Sequence, residues 1–277
     1  MLQVIIIFII SLSSFSSERI VSTVPSLSEA LYELRLSDSV VGVSKYCLFD
    51  ESFCSKEKVG TSLDISYERI LKLKASTVIL SSSASEVQVK NLSKLNIKTL
   101  LLAHDRLDDI YSSIKILGKR FSREQEAREL VRKLDTSLSR TGLKLKDTKV
   151  LFLISSDIRD GKVVKAQAAG SKNFYSDILE KIGLSNILKT SSMSYPEVGR
   201  ENLISLKYDY IIEIFGSHND STLTLKKEAW KELGRSKKSS FKYVPLVGNY
   251  LFVPGPSVWK IAQDLKNEVG KNNVVNK

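Results

Sequence analysis

Glu68-Arg-Ile-Leu-Lys-Leu-Lys-Ala-Ser-Thr-Val-Ile-Leu80 and, 133 positions later, Glu201-Asn-Leu-Ile-Ser-Leu-Lys-Tyr-Asp-Tyr-Ile-Ile-Glu213 are two copies of one short pattern. In each copy a glutamate begins an amphipathic helical turn, and a β-branched run typical of a buried strand follows. A second pair of similar segments begins at Ser28 and Ser176, in the same order. Chance likeness between short helix–strand units is the alternative. The repetition predicts two lobes of similar plan, with a ligand cleft between them.

From Arg19 onward, short β-branched runs alternate with amphipathic helical stretches, which is typical of parallel β-α-β units. The predicted strands are 20–22, 40–43, 77–80, 98–102, 149–154 and 210–215, with shorter strands between 243 and 253. We therefore expect an α/β fold. Its predicted parts are an N-terminal lobe over 18–104, a helical region over 105–144 and a C-terminal lobe over 145–277.

The most strongly helical region lies between the predicted lobes. Ser122 and Gln125 stand at the spacing of a capping box, in which each side chain bonds the other's backbone amide. Apolar residues follow at helical intervals from Ala127 to Leu138, and the first glycine after this run is Gly142. At about 1.5 Å per residue, this helix would reach roughly 30 Å and could connect the lobes. A surface helix inside one domain is the alternative.

The N-terminus has the composition of an export signal. An apolar run from Val4 to Leu12 precedes small residues up to Ser17, so we expect residues 1–17 to be a signal peptide and the protein to be periplasmic. No Lys or Arg precedes the run, which leaves a buried first strand as the alternative. No cysteine follows the run, so the sequence does not indicate a lipid anchor. No other stretch approaches the roughly 18 apolar residues of a membrane span.

Charge and cysteine content narrow the possible partners. The formal net charge is +11, but the cations are spread along the chain without a dense basic cluster among aromatics, so we expect no nucleic-acid binding. The two cysteines, Cys47 and Cys54, have six residues between them. In an oxidising compartment we expect them to close a small disulfide loop.

Catalytic and metal-binding motifs are scarce in this sequence. It contains no Gly-x-Ser-x-Gly elbow, phosphate-binding glycine loop, His-Glu-x-x-His or Cys-x-x-Cys motif. Its two histidines, His104 and His218, do not stand at metal-ligand spacing, so we expect no metal site. A binding protein is therefore favoured over an enzyme. The alternatives are an exported enzyme, for which adjacent acids such as Asp108 and Asp109 diverge on a helix, and a partner-binding protein without a small ligand.

Several segments together resemble the ABC-transporter substrate-binding proteins for cobalamin, haem and iron-siderophores. In chain order these segments are Arg19–Leu31, Val41–Cys47, Val59–Gly60, Glu68–Lys74, Asp109–Gly118, Glu201–Leu206 and Val253–Pro256. The resemblance covers nearly the whole chain after residue 17. It implies two Rossmann-like lobes joined by one rigid backbone helix, a ligand cleft with little opening motion, and delivery to a permease dimer at the inner membrane. We expect a monomer.

The resemblance also assigns roles to particular residues. Glu68 and Glu201 match the positions of surface glutamates, one on each lobe, that dock onto arginines of the permease. An exposed carboxylate at a helix start is stabilised by the helix dipole and can meet a guanidinium. Pro25, Ser26 and Tyr46 match cleft-facing positions of the first lobe. A tyrosine there offers a flat apolar face and one hydrogen bond to a large conjugated ring.

Further ligand contacts are predicted from position relative to the strands. Ser82 and Ser83 follow the third predicted strand, where the carboxyl ends of parallel strands commonly bind ligands. In the second lobe Gly170, Tyr195 and Phe215 are proposed on the same basis. The alternative for each is an ordinary turn or packing residue.

Positions at which this chain departs from the family pattern help to predict which ligand it binds. Cobalamin receptors of this type have a tryptophan a few residues before the first docking glutamate, where this chain has Ser62, which we retain as a candidate contact. Neither Trp230 nor Trp259 obviously replaces it. The motifs favour a corrinoid such as cobalamin, with haem or a ferric siderophore as alternatives. A haem receptor would use Tyr46 or His104 as an axial ligand.

Overall fold

The computed structural model describes residues 18–139, 148–216, 220–237 and 240–270, which form two α/β lobes, as the sequence predicts. The predicted signal peptide, Gly142 and His218 lie outside the described residues. Within the described ranges, no helix is both long enough and apolar enough to cross a bilayer.

The first lobe contains a five-stranded parallel sheet in the order β3-β2-β1-β4-β5. Its strands are β1 Ile20–Ser22, β2 Val40–Val43, β3 Glu57–Lys58, β4 Thr77–Ser81 and β5 Lys98–Leu102. The central strands β1 and β4 are buried throughout, as parallel strands covered by helices on both faces are. The strand order reverses between β1 and β4, so the crevice outside their carboxyl ends is where an open α/β sheet binds ligands.

Five helices pack with this sheet. They are α1 Pro25–Glu33, α2 Glu51–Cys54, α3 Tyr67–Lys72, α4 Glu86–Lys94 and α5 Leu107–Arg120. Pro25 stands in the first turn of α1, where its fixed φ suits the helix and its missing N–H costs nothing. Helix α4 begins with a capping box made by Ser85 and Gln88.

The second lobe contains a six-stranded mixed sheet, in which β11-β10-β6-β7-β9 lie in order and β8 pairs with β6. The strands are β6 Lys149–Arg159, β7 Lys162–Ala168, β8 Ser185–Asn186, β9 Glu197–Gly199, β10 Tyr210–Phe215 and β11 Lys242–Val247. Strand β7 runs antiparallel to both β6 and β9. The prediction ended β6 at Ile154, but the strand continues through a hairpin with Asp160 and Gly161 at the turn. Both turn residues have positive φ, as a tight hairpin requires.

The remaining elements of the second lobe are helical. They are α7 Phe174–Ile182, α8 Arg200–Ser205, α9 Asp220–Lys237 and α10 Val258–Gly270, with a 3₁₀ turn over Asn249–Phe252. The prediction placed short strands up to Val253, but only β11 forms, and the 3₁₀ turn follows it. Both copies of the repeated pattern form a helix and then a strand, α3 then β4 and α8 then β10.

Helix α6, which spans Glu124–Leu138, differs from its prediction at both ends. Its 15 residues give a length of about 22 Å at 1.5 Å per residue, shorter than expected. The capping box predicted for Ser122 and Gln125 is wrong. Arg123 is the N-cap, and Ser122 has a φ of 55°. The Gln125 side chain instead donates to Glu129 in the next turn.

Helices α5, α6, α7 and α10 fill the space between the two sheets. One apolar cluster includes buried residues of both sheets, among them Ile79 and Phe152, and of these helices. Polar contacts join the same elements. Arg106 Nε donates to Asp177 Oδ2 over 2.7 Å, joining the start of α5 to α7. Lys266 Nζ, on α10, donates to the carbonyl oxygen of Ser137 near the end of α6 over 2.9 Å. These ties resist relative motion of the lobes.

Candidate functional site

A groove lies between the lobes at the carboxyl ends of the strands. One part, a cavity of about 490 Å³, is lined by Pro25, Tyr46 and Phe49 of the first lobe and by Tyr250 and Phe252 of the second, among others. Its volume falls within the range of roughly 300–1,000 Å³ that is usual for ligand sites.

The other part of the groove is a cavity of about 340 Å³. His104 and Asp105, which follow β5, face Tyr195 and Pro254 of the second lobe across it. Because Phe252 lines both cavities, we treat them together and call them the interlobe groove.

The mouth of the interlobe groove is unusually apolar for a surface. Tyr46 is 59% exposed, Leu48 65% and Phe252 43%. Large apolar side chains that gather at the edge of a cleft mark a place where a partner or ligand covers them. Their arrangement suits a ligand with a broad apolar face.

A disulfide holds the first-lobe wall of the groove. Cys47 and Cys54 are bonded, with their Cα atoms 5.4 Å apart, and both are buried in the core of the lobe. The loop that they close carries Leu48 and Phe49, which line the groove. Asp50 caps α2, the short helix that ends at Cys54. The bond therefore fixes the position of two groove residues and of the neighbouring Tyr46.

Glu29 lies at the floor of the groove, where the two lobes touch. It is only 5% exposed. The Ser257 hydroxyl, just before α10, donates to its Oε1, while its Oε2 has no hydrogen-bond partner. Burial raises the pKa of Glu29 to about 7, with a small further rise from Glu33, while the Ser257 hydrogen bonds and the Lys260 charge act in the opposite direction. The carboxyl is therefore partly protonated at neutral pH.

His104 supplies a neutral imidazole to the groove. Its side chain is about 20% exposed, but its Nδ1 is buried, has no hydrogen-bond partner and lies 3.9 Å from Asp105 Oδ1. Nε2 is therefore the nitrogen that is left to meet a ligand in the groove. Burial lowers the pKa of His104 even though Asp105 and Asp109 act to raise it. Burial also raises the pKa of Tyr195, as does Asp105 across the groove, so the phenol stays neutral. A neutral imidazole can coordinate a metal atom that a ligand brings.

Two lysines stand beside aromatic rings of the groove. The Lys45 ammonium lies 5.0 Å from the centre of the Tyr46 ring, and the Lys260 ammonium lies 5.7 Å from the centre of the Tyr250 ring. Both tyrosines and Lys260 line the larger cavity. The groove thus has apolar walls with positive charge near the mouth.

Three of the residues that the sequence predicted as ligand contacts, Pro25, Tyr46 and Tyr195, line the interlobe groove. The other six do not line either of its cavities: Ser26, Ser62, Ser82, Ser83, Gly170 and Phe215.

Structural contacts account for several of these six residues. The Ser62 carbonyl accepts from the Gln88 side chain over 3.0 Å. Gly170 is buried, and its carbonyl accepts a hydrogen bond from Asn186. The Ser83 hydroxyl lies 2.8 Å from the hydroxyl of Ser81.

Most of the second-lobe wall carries no local sequence pattern that predicts it. Tyr250 and Phe252 belong to the 3₁₀ turn, and Asn249 begins it. These residues directly precede the Val253–Pro256 segment, so the motif could have drawn attention to them. Neither tryptophan lines the groove. Trp230 is buried in the second lobe, where its Nε1 donates to Glu213, and Trp259 is partly buried on α10.

Glu68 and Glu201 occupy equivalent places on the two lobes. Each is exposed in the first turn of its helix, α3 or α8. Neither forms an ion pair with the residues that the structure describes. Among those residues there is also no group of three or more His, Cys, Asp or Glu side chains that could hold a metal ion.

Comparison with known proteins identifies the family and the fold of the chain. The model of a family described as "Periplasmic binding protein" matches residues 20–226. An uncharacterised ABC transporter substrate-binding lipoprotein of Bacillus subtilis, YvrC, is 26% identical over 230 residues, which cover 79% of this chain and 70% of that protein. The high-affinity haem uptake system protein IsdE of Staphylococcus aureus is 26% identical over 201 residues, which cover 71% and 66%.

Solved structures share this architecture over almost the whole chain. The periplasmic haem binding protein HutB of Vibrio cholerae superimposes with a TM-score of 0.74 at 22% identity, over 92% of this chain and 99% of that one. The periplasmic vitamin B12 binding protein BtuF of the same organism gives a TM-score of 0.67 at 19% identity, over 90% and 94%. At these identities the likeness establishes the fold alone.

Proposed function

Because the chain belongs to the periplasmic binding protein family, we propose that it captures a metal-bearing tetrapyrrole in the interlobe groove and delivers it to a membrane permease. Members of this family bind solutes and are not enzymes, which sets aside an exported enzyme. The chain is thus a substrate-binding protein of the ABC-importer type. The observation that carries the choice of ligand is an aromatic groove whose lining includes a neutral imidazole, that of His104.

The walls of the groove suit a flat, conjugated ligand. Tyr46, Phe49, Tyr250 and Phe252 supply ring faces and edges from both lobes. Aromatic side chains stack on conjugated rings and bury a large apolar area. Since Tyr46 and Phe252 are also strongly exposed in the free protein, a tetrapyrrole that covered them would remove much apolar surface from water.

Haem is the tetrapyrrole that the polar groups favour. Its iron takes imidazole as an axial ligand, and His104 offers a neutral one, since burial lowers its pKa. Its two propionates are anionic, and Lys45 and Lys260 place positive charge beside the aromatic walls. Haem therefore matches both the walls and the charge of the groove.

A corrinoid, which the sequence motifs favour, is the second candidate. It shares the metal-bearing macrocycle, but its edge carries amides in place of propionates. Asn249 and Tyr195, which also line the groove, can exchange hydrogen bonds with amides. A corrinoid would thus use the same walls and depend less on the lysines. A ferric siderophore is the remaining alternative.

Titration of the purified chain with haem, a cobalamin and a ferric siderophore tests this proposal. Haem should bind with micromolar affinity or better and give the absorption spectrum of an imidazole-ligated iron. His104→Ala should change that spectrum and weaken binding at least tenfold, while Glu33→Gln, outside the groove, should change neither. If only the siderophore binds, the tetrapyrrole proposal is wrong. If His104→Ala leaves the haem spectrum intact, His104 is not the axial ligand.

We also propose that Glu68 and Glu201 dock the loaded protein onto cationic side chains of the permease. Both carboxylates are exposed, are free of ion pairs within the described chain and lie in the first turn of equivalent helices. A carboxylate held there is placed to make charge-assisted hydrogen bonds with arginines. A pair at the same place on each lobe suits a dimeric partner with two equivalent sites. This role requires export to the side of the membrane where the permease receives its cargo, which the apolar N-terminal run would direct.

Charge reversal separates docking from ligand binding. Glu68→Lys or Glu201→Lys should reduce ligand uptake in cells at least tenfold and leave ligand affinity of the purified protein unchanged. Glu86→Lys is the matched control, because Glu86 is an exposed acid in the first turn of α4. If the control reduces uptake equally, or if the docking variants lose ligand affinity, the assignment of these glutamates is wrong.

A further inference from the structure

The outer face of α9 presents a row of positive charges. Lys227, Lys231 and Arg235 are spaced four residues apart, so they lie on successive turns of one side of the helix. All three are exposed. None forms an ion pair with the residues that the structure describes.

These three side chains border a shallow depression beside β11, the edge strand of the second sheet. Its volume is about 710 Å³, and its lining includes the three cations together with Phe241 and Tyr243. The depression thus combines an apolar floor with a cationic rim on one side. It does not share lining residues with the interlobe groove.

Nearby acidic residues do not neutralise this rim. Glu232 is paired with Arg200, with an N–O distance of 2.9 Å. Glu213 is fully buried and paired with Lys226, also at 2.9 Å. Glu228 is exposed on α9 but does not line the depression. The lining of the depression therefore contains three cations and no acidic residue, and the formal net charge of the chain is +11.

We propose that the Lys227–Lys231–Arg235 face of α9 holds the protein on a bilayer surface that contains anionic phospholipids. Charge complementarity favours an anionic partner, and the aromatic floor suits the boundary between headgroups and acyl chains. A substrate-binding protein meets its permease at a membrane, so this polyanionic surface is favoured over others. Adsorption to the bilayer would raise the concentration of loaded protein near the permease without any new contact to it.

Vesicle co-sedimentation of the full chain tests this inference. Binding to vesicles of phosphatidylglycerol and phosphatidylcholine should exceed binding to phosphatidylcholine alone and should weaken as salt rises. Each cation near an anionic surface contributes about a fivefold change in binding, so the triple variant K227Q/K231Q/R235Q should bind about a hundredfold more weakly. The single variant Lys231→Gln should bind about fivefold more weakly.

A variant of equal charge provides the control. K90Q/K94Q/K98Q removes three exposed cations from α4 and the start of β5 in the other lobe, and its binding should change less than threefold. If both triple variants bind equally weakly, overall charge and not the α9 face attracts the membrane, and the inference is wrong. It is also wrong if the parent protein ignores anionic vesicles. Displacement from vesicles by micromolar glycerol phosphate would show a small-anion pocket and overturn it as well.

Discussion

Replacement of Glu29 by Gln should change how the stability of the protein depends on pH. The carboxyl is buried at the contact between lobes, and its pKa is raised from 4.5 to about 7. In the unfolded chain the carboxyl ionises near pH 4.5, whereas the folded chain keeps its proton up to about pH 7. The folded state therefore binds more protons across this interval, and the stability that the group contributes is lost as pH rises through it.

The size of the effect follows from the same two pKa values. Between pH 5 and pH 8, Glu29 alone should lower the free energy of unfolding of the parent protein by about 2.5 kcal/mol. Glutamine has nearly the same shape, can hydrogen-bond with the Ser257 hydroxyl and does not ionise. The difference in unfolding free energy between Glu29→Gln and the parent should therefore grow in favour of the variant by about 2.5 kcal/mol from pH 5 to pH 8.

Urea denaturation of both proteins at pH 5, 6, 7 and 8 measures this difference directly. Other titrating groups contribute equally to parent and variant and cancel. Glu86→Gln is the control, because it removes an exposed carboxyl of α4 that does not act on Glu29, so the pH dependence of the parent protein should persist in this variant. A Glu29→Gln difference that stays constant within about 0.5 kcal/mol would refute the argument that burial holds the proton on Glu29.

Three further changes test how the scaffold supports the groove. Joint replacement of Cys47 and Cys54 by serine should lower the free energy of unfolding by about 2.5 kcal/mol, from the loop entropy that the bond removes, and weaken ligand binding in titrations. Asp177→Asn should cost about 1–2 kcal/mol in chemical denaturation, because it breaks the partly exposed ion pair with Arg106 that joins the lobes. Gly118→Ala should lower the melting temperature, because its new Cβ would lie 2.5 Å from an alanine Cβ on α6.

The buried strands of the fold are predictable from sequence because their environment leaves a strong pattern. Strands β1, β2, β5 and β10 have the predicted bounds. Strands β1, β2 and β10 are largely buried and read as apolar runs rich in β-branched residues, whereas β5 is a partly exposed edge strand recognised by its run of leucines. The extension of β6 carries a weaker pattern, because Ser155, Ser156 and Asp157 are polar. That part of the strand exists because it pairs with β7. Asp160 and Gly161 were the available signal for this hairpin.

The start of α6 shows how a local motif can be overruled. Ser122 and Gln125 have the spacing of a capping box, but Ser122 adopts a positive φ just after α5 ends. It therefore terminates one helix and cannot cap the next, for which a cap residue needs extended backbone. For a related reason, no local sequence pattern predicts that residues of the 3₁₀ turn, such as Phe252, line the groove. Their position depends on packing between elements that are distant in sequence, which a local pattern does not record.

Contacts between the lobes hold the width of the interlobe groove, while the edge of the groove is open to solvent. Both features affect which ligands the groove can select. Three polar contacts join parts that a hinge motion would separate. They are Arg106 with Asp177, Lys266 with the end of α6, and Ser257 with Glu29. A cleft held at a fixed width gains affinity because the protein loses little conformational entropy on binding. Such a cleft cannot close around ligands of different sizes. Selection must then come from the groove lining itself. Substitutions there should therefore change which tetrapyrrole binds, whereas substitutions in ties outside the groove, such as Asp177→Asn, should weaken all ligands alike.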